Sequence, residues 1–130
     1  MARTVYLNGD YLPEDEARVS IFDRGFLMAD GVYEVTSVLG GKLVDFPGHA
    51  RRLTRSLEAL DMAVPLTEAA LLEIHRELVA RNALDDGLIY LQVTRGAPGD
   101  RDFIFPDPET TPLTVVLFPQ AKPNLAESAE

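Results

Sequence analysis

Apolar and polar positions alternate near both ends of the chain and follow a helical period in the middle. Residues 4–7 are β-prone and precede Asn8-Gly9, and residues 32–39 and 42–46 flank Gly40-Gly41. Dipeptides of this kind are typical of two-residue β-hairpin turns. The pattern therefore predicts two hairpins in the first third of the chain, the second with strands over 32–39 and 42–46.

The middle of the chain predicts two consecutive helices. Between residues 47 and 62, apolar positions recur at gaps of three or four, as on one face of a helix: Ala50, Leu53, Leu57 and Leu60. Pro47 suits a first helical turn, where its missing N–H is not needed. After Pro65, Thr67 is a good N-cap for a second helix, whose apolar stripe ends near residues 81–82.

The last third predicts two strands, 88–95 and 113–118, joined by a long loop. Residues 96–112 contain two glycines and four prolines, and irregular segments of this length are typically functional or disordered. From Pro119 the sequence becomes small and polar, as in a linker or a frayed end. The order of elements predicts an α+β fold, an antiparallel or mixed sheet with the two helices packed on one face.

Charge and composition narrow the classes of function. The chain has 130 residues and a net charge of −9, which disfavours binding to nucleic acid or to an anionic membrane surface. It has no cysteine and two histidines, so disulfides and a cysteine nucleophile are excluded and no metal site is expected. No apolar run resembles a signal peptide or a membrane span, and we expect a cytoplasmic protein.

Two side chains on the predicted elements are candidates for anion or ligand binding. Arg52 lies between the charged and apolar faces of the first helix, where a guanidinium suits phosphate or carboxylate oxygens. Tyr33 follows Asp30-Gly31 on a strand and either faces a ligand or is an ordinary half-buried sheet residue. Taken alone, Arg52 also fits a solvated surface arginine.

Four further side chains have a structural as well as a functional interpretation. His49, at the start of the first helix, fits a packing residue, and His75 fits a hydrogen-bonded core residue of the second helix. Arg95 and Arg101 flank the start of the long loop, where they suit an anionic ligand or pairing with the local acids Asp100 and Asp102.

Several segments in order carry a resemblance to a known family. They are YLNGDYL (6–12), DRGFLMADGVYEV (23–35), HARRL (49–53), LVARNAL (78–84) and IYLQVTRG (89–96). Together they resemble the N-terminal domain of fold-type IV, pyridoxal-phosphate-dependent aminotransferases, and are most similar to the D-amino acid aminotransferases. The resemblance implies an N-terminal α/β domain over residues 1–119 and an interdomain linker or frayed tail over 120–130.

The resemblance also implies roles for individual residues. Arg52 would bind the phosphate of pyridoxal 5′-phosphate, and Tyr33 and Arg101 would bind the substrate carboxylate. In that family an arginine and a histidine in an R-x-H motif reach the site from the neighbouring subunit of a homodimer. Here Phe103 stands where the histidine is expected, which removes one hydrogen-bond donor and leaves the preferred substrate open.

The lysine that holds the cofactor in this family lies in the second domain. The chain contains only Lys42 and Lys122, and neither has a matching sequence context. We therefore expect no catalytic residue within these 130 residues, a C-terminal lysine-bearing domain beyond them, and no transaminase activity from the chain alone. The intact enzyme would exchange an amino group between a D-amino acid and a 2-oxo acid.

Alternatives remain within and outside the family. Branched-chain aminotransferases and aminodeoxychorismate lyases share the fold and the HxxRL helix. A non-catalytic phosphate-binding or dimerisation module is the alternative from another class.

Overall fold

A computed structural model describes residues 3–63 and 65–122 of the chain. Six strands and three α-helices are formed, together with a 3₁₀ turn at Glu14–Glu16. In chain order the elements are β1 (Thr4–Leu7), β2 (Asp10–Pro13), α1 (Arg24–Met28), β3 (Gly31–Leu39), β4 (Lys42–Leu43), α2 (Phe46–Ala59), α3 (Glu68–Arg81), β5 (Gly87–Thr94) and β6 (Thr114–Ala121). Of the helices in the described ranges, none combines the length and apolar character that a membrane crossing requires.

The strands form one antiparallel sheet in the order β2-β1-β6-β5-β3-β4. Both predicted hairpins are confirmed, with Leu7 opposite Asp10 and Leu39 opposite Lys42. Asn8 and Gly9, like Gly40 and Gly41, have positive φ angles, as a two-residue hairpin turn of this hand requires. The predicted α+β fold is confirmed, and the sheet is entirely antiparallel.

The two faces of the sheet differ in burial. One face packs on α2 and α3 and forms the core, where Leu57 and Leu78 from the helices meet Ile89, Leu91 and Leu117 from the sheet. These five side chains are at most 1% exposed. The strand register places Tyr33, Tyr90 and Phe118 on the other face, where Gly25 of α1 lines a hollow together with Tyr33 and Tyr90. Helices α2 and α3 therefore bury one face, and Tyr33 on the opposite face is 64% exposed.

The predicted helices form, with small differences at their ends. Thr67 is the N-cap of α3, and its hydroxyl accepts a hydrogen bond from the N–H of Ala70. Helix α2 ends at Ala59 rather than near Met62, because Asp61 adopts a left-handed φ of 55° and Met62 N–H turns back to the carbonyl of Leu57. Leu60 thus leaves the apolar face and is 37% exposed.

Two sequence predictions about the bounds of the strands are wrong. A strand over 42–46 is replaced by β4 at Lys42–Leu43, since Asp45 turns at a φ of 53° and starts α2. The last strand continues past Phe118 to Ala121, where its residues pair with β5. The proposed tail over 120–130 thus begins inside β6, while residues 123–130 lie outside the described residues. Helix α1 was not predicted at all.

Candidate functional site

Two adjacent residues of strand β3, Tyr33 and Glu34, lie on opposite faces of the sheet. Glu34 lies opposite Leu91 on the core side, and Tyr33 lies opposite Gln92 on the outer side. The glutamate is 9% exposed, whereas the tyrosine is 64% exposed. Tyr33 is therefore not the half-buried sheet residue of the structural interpretation, and its phenol is open to a ligand.

On the core side, Glu34 organises a polar cluster at the edge of α2. Its carboxylate accepts hydrogen bonds from Nε of Arg52 at 3.0 Å and from Nη2 of Arg52 at 2.8 Å. His49 Nδ1 lies 2.9 Å from the same carboxylate. The two hydrogen bonds from Arg52 fix the orientation of its guanidinium, yet the Arg52 side chain remains 57% exposed. Its outer edge, including Nη1, has no hydrogen-bond partner among the described residues.

Glu34 and Arg52 stabilise each other's charged forms. Burial raises the pKa of Glu34, but hydrogen bonds from Arg52 and His49 and their charges outweigh it, so the pKa lies below the usual range. The same pairing raises the pKa of the Arg52 guanidinium. Nδ1 of His49 also lies 3.0 Å from Nη2 of Arg52, so it either donates to Glu34 or accepts from the arginine. Arg52 is thus a fixed cation at the rim of the core.

On the outer side, Tyr33 begins a line of aromatic rings across three strands. It stacks on Tyr90 with ring centroids 5.7 Å apart, and Tyr90 stacks on Phe118 at 5.0 Å. Beside Tyr33 is a hollow of about 280 Å³, lined by Gly25, Ala29, Gly31, Val32, Tyr90 and Gln92 as well as Tyr33 itself. Stacking on Tyr90 orients the Tyr33 ring, which lines this hollow.

Arg101 lies in the loop between β5 and β6, as predicted. It is exposed, and its guanidinium carbon lies 4.9 Å from the ring centre of Phe103, which is itself 78% exposed. No hydrogen bond or ion pair joins Arg52, Tyr33 and Arg101 within the described ranges. Their assignment to one active site remains a prediction: Arg52 lies on α2, Tyr33 on the outer side of β3 and Arg101 in the loop between β5 and β6.

The remaining candidates have structural partners. His75 is 3% exposed, its Nδ1 lies 2.8 Å from the carbonyl of Leu71, and burial lowers its pKa, which confirms the core interpretation. Arg95 is neither solvated nor paired with Asp100 or Asp102. It is 7% exposed and bonds to Asp30, because the end of β5 lies beside the start of β3.

The sequence reasoning missed four charged residues that the structure brings to this region. Glu34 orients Arg52, and Asp23, Arg24 and Asp30 are held by hydrogen bonds near the end of β5. Their position within a largely apolar segment could have indicated that they are buried and paired, since buried charges require partners. What was not visible was the identity of those partners.

The fold is that of the N-terminal domain of fold-type IV aminotransferases. The branched-chain amino acid aminotransferase of Escherichia coli matches over 94% of this chain and 40% of its own, with a TM-score of 0.80 and 17% identity. The branched-chain aminotransferase of the archaeon Thermoproteus uzoniensis, solved with norvaline, matches over 93% and 41%, with a TM-score of 0.79 and 21% identity. At these identities the likeness concerns the fold alone.

Sequence comparison gives the family. Residues 31–130 match the model of amino-transferase class IV, and the chain belongs to that family. The D-alanine aminotransferase of Staphylococcus aureus (strain MSSA476) is 38% identical over 111 residues, which cover 85% of this chain and 39% of the relative. That of Listeria monocytogenes serotype 1/2a (strain 10403S) is 37% identical over 118 residues, covering 91% and 40%. The chain thus spans about two fifths of the length of the curated relatives it matches.

Proposed function

We propose that the chain is the N-terminal part of a pyridoxal-phosphate-dependent transaminase that exchanges an amino group between a D-amino acid and a 2-oxo acid. The observation that carries the proposal is the 37–38% identity to D-alanine aminotransferases. The two branched-chain enzymes of similar fold reach only 17% and 21% identity. As the resemblance to this family implies, we expect a C-terminal domain to supply the catalytic lysine and the enzyme to be a cytoplasmic homodimer.

The residues around Arg52 fit the phosphate group of this cofactor. A guanidinium that is half exposed and oriented from behind by a buried carboxylate can donate its free N–H groups to phosphate oxygens. Glu34 fixes the orientation of the Arg52 guanidinium, and His49 hydrogen-bonds to the same carboxylate. When bound, pyridoxal phosphate supplies the electron sink on which amino-group exchange depends.

Tyr33 and Arg101 are proposed to hold the substrate carboxylate. The Tyr33 hydroxyl donates a hydrogen bond, while Arg101 supplies a guanidinium from the loop between β5 and β6, reaching the site of the neighbouring subunit. Phe103 has no polar atom on its ring, so the carboxylate receives one donor fewer than an R-x-H motif would supply. We expect this loss to cost about 1 kcal/mol of carboxylate binding.

Phosphate binding is tested with Arg52→Met in the full-length protein. Losing a charge-assisted pair should weaken pyridoxal phosphate binding about tenfold to a hundredfold. Arg51→Met is the matched control, because the neighbouring Arg51 is exposed and has no hydrogen bond among the described residues. Equal affinity in the two variants would contradict the role of Arg52.

The substrate class is tested by assaying the same protein with D-alanine, L-leucine and aminodeoxychorismate. A 4-amino-4-deoxychorismate lyase from Pseudomonas aeruginosa matches this fold at a TM-score of 0.70 and 29% identity over 95% of the chain and 42% of its own length, so this alternative is included. We expect turnover of D-alanine. Turnover of L-leucine or aminodeoxychorismate alone would replace the proposal with the corresponding alternative, and turnover of none would favour the non-catalytic module.

A further inference from the structure

The segment before β3 holds both ends of the long loop with one carboxylate. Asp23 accepts hydrogen bonds from the hydroxyl of Thr94 at 2.7 Å and from that of Thr114 at 2.6 Å. Thr94 is the last residue of β5 and Thr114 is the first of β6. Asp23 is 3% exposed. The two ends of the loop are therefore clamped to a single buried side chain.

Two buried arginines share one carboxylate beside the middle of the loop, and one of them, Arg24, hydrogen-bonds to the loop backbone. Nε of Arg24 donates to Asp30 at 2.6 Å, and Nε of Arg95 donates to the same carboxylate at 2.9 Å. Arg24 Nη1 also donates to the backbone carbonyls of Asp102 and Ile104, on either side of Phe103. The loop backbone thus provides acceptors that the arginine would otherwise lack.

Phe105 covers this pair from the solvent side. Its ring centre lies 3.9 Å from the guanidinium carbon of Arg95 and 5.8 Å from that of Arg24. The ring is stacked although the residue is 61% exposed. Two buried cations against one carboxylate leave an excess positive charge. The carbonyl of Leu60 accepts from Arg95 at 2.7 Å, and the loop adds two carbonyl oxygens for Arg24 and the aromatic face of Phe105. The charge imbalance therefore favours the docked loop.

We propose that Arg24, Asp30, Arg95 and Phe105 are positioning residues that fix the loop carrying Arg101 and thereby set how tightly the substrate carboxylate binds. The inference rests on the proposed function through the role of Arg101. Arg101 lies one residue before the carbonyl of Asp102 that Arg24 holds. Loss of the hydrogen bond from Arg24 to that carbonyl would free the backbone next to Arg101.

Docking of the loop is tested by trypsin cleavage after Arg101, since cleavage of a loop requires it to leave its contacts. Arg24→Met leaves Arg95 and Asp30 as a balanced pair, and Phe105→Leu removes the ring that covers the two arginines. Each should speed cleavage about tenfold or more, because Arg24→Met removes the hydrogen bonds to the loop carbonyls and Phe105→Leu removes the ring that covers the arginines. Phe26→Leu, at an exposed phenylalanine of α1, is the control. Cleavage at the control rate in both variants would overturn the inference.

The consequence for binding is tested in the full-length protein with D-alanine. Arg24→Met and Phe105→Leu should raise KM about tenfold with little change in kcat, the pattern of weakened carboxylate binding. Arg101→Ala is the reference. If it raises KM and the two variants do not, the positioning role is overturned and the proposed function stands. If Arg101→Ala leaves KM unchanged, the carboxylate role of Arg101 is wrong and the positioning role falls with it.

Discussion

Replacement of Asp23 by alanine should destabilise the fold far more than its place in a connecting segment suggests. The carboxylate is the N-cap of α1, accepting a hydrogen bond from the N–H of Gly25 at 2.8 Å. It also accepts from two threonine hydroxyls on β5 and β6, both in buried residues. Alanine leaves all three donors without this acceptor.

The magnitude follows from the three contacts. Loss of an N-cap costs about 1 kcal/mol, and each buried hydroxyl that loses a charged acceptor costs about 1 kcal/mol or more. We therefore expect a free energy of unfolding lower by about 3 kcal/mol for Asp23→Ala. Asp23→Asn retains one acceptor oxygen, and a threonine hydroxyl can turn to accept from the new amide, so its cost should be about 1 kcal/mol.

Urea unfolding of the chain, followed by far-ultraviolet circular dichroism, measures these differences. Ser20→Ala is the control, since it removes one exposed side chain–backbone hydrogen bond from the same segment and should cost less than about 0.5 kcal/mol. Combining Asp23→Ala with Thr114→Val should cost less than the separate changes together, by about 1 kcal/mol. A cost for Asp23→Ala no larger than that of the control, or full additivity, would refute the clamp.

Three further predictions concern stability. Because the folded-state pKa of Glu34 is lowered, Glu34 stabilises the fold above about pH 4.3, and this stabilisation is lost as the pH falls through the lower folded-state pKa. Glu34→Gln should therefore reduce the fall in the free energy of unfolding at acid pH, measured by urea unfolding at several pH values. An unchanged acid dependence would count against the pairing of Glu34 with Arg52. Burial lowers the pKa of His75, so the free energy of unfolding should fall below about pH 6.5, where the unfolded chain binds the proton first. His75→Phe should abolish this dependence on pH. A dependence that persists in the variant would show that another group causes it. In Gly31→Ala the new Cβ would lie 2.5 Å from the backbone oxygen of Val93, and a loss of about 2 kcal/mol is expected; thermal unfolding checks it, with no shift arguing against the close strand contact.

The features predicted from the sequence are those that neighbouring residues determine. Asn8-Gly9 and Gly40-Gly41 form their hairpins because the turn requires positive φ at adjacent positions. The spacing of leucines in α2 and α3 likewise specifies a helix from within the helix. Strand β4 was overestimated because Val44 looks β-prone, whereas Asp45 at a left-handed φ already begins α2.

The features that were missed depend on pairing between distant segments. Asp23 accepts hydrogen bonds from Thr94 and Thr114, which lie 71 and 91 positions further along the chain. Arg24 donates to a carbonyl 78 positions further along. The sheet order that brings β5 between β3 and β6 decides these contacts, and no local pattern encodes it. The roles proposed for Arg52, Tyr33 and Arg101 came from resemblance, whereas the partner of Arg52, Glu34, appeared only once β3 and α2 were packed together.

The packing of residues 23–35 links the two proposed ligand contacts. Gly31 lies opposite Thr94, so the start of β3 and the base of the loop between β5 and β6 are adjacent. Tyr33 is two residues beyond Gly31, and the loop that carries Arg101 begins two residues beyond Thr94. A displacement of the segment before β3 would therefore disturb the base of the loop, because Asp23 and Asp30 bond to residues at that base. One continuous segment thus carries the proposed carboxylate-binding tyrosine and anchors the loop of its proposed partner arginine.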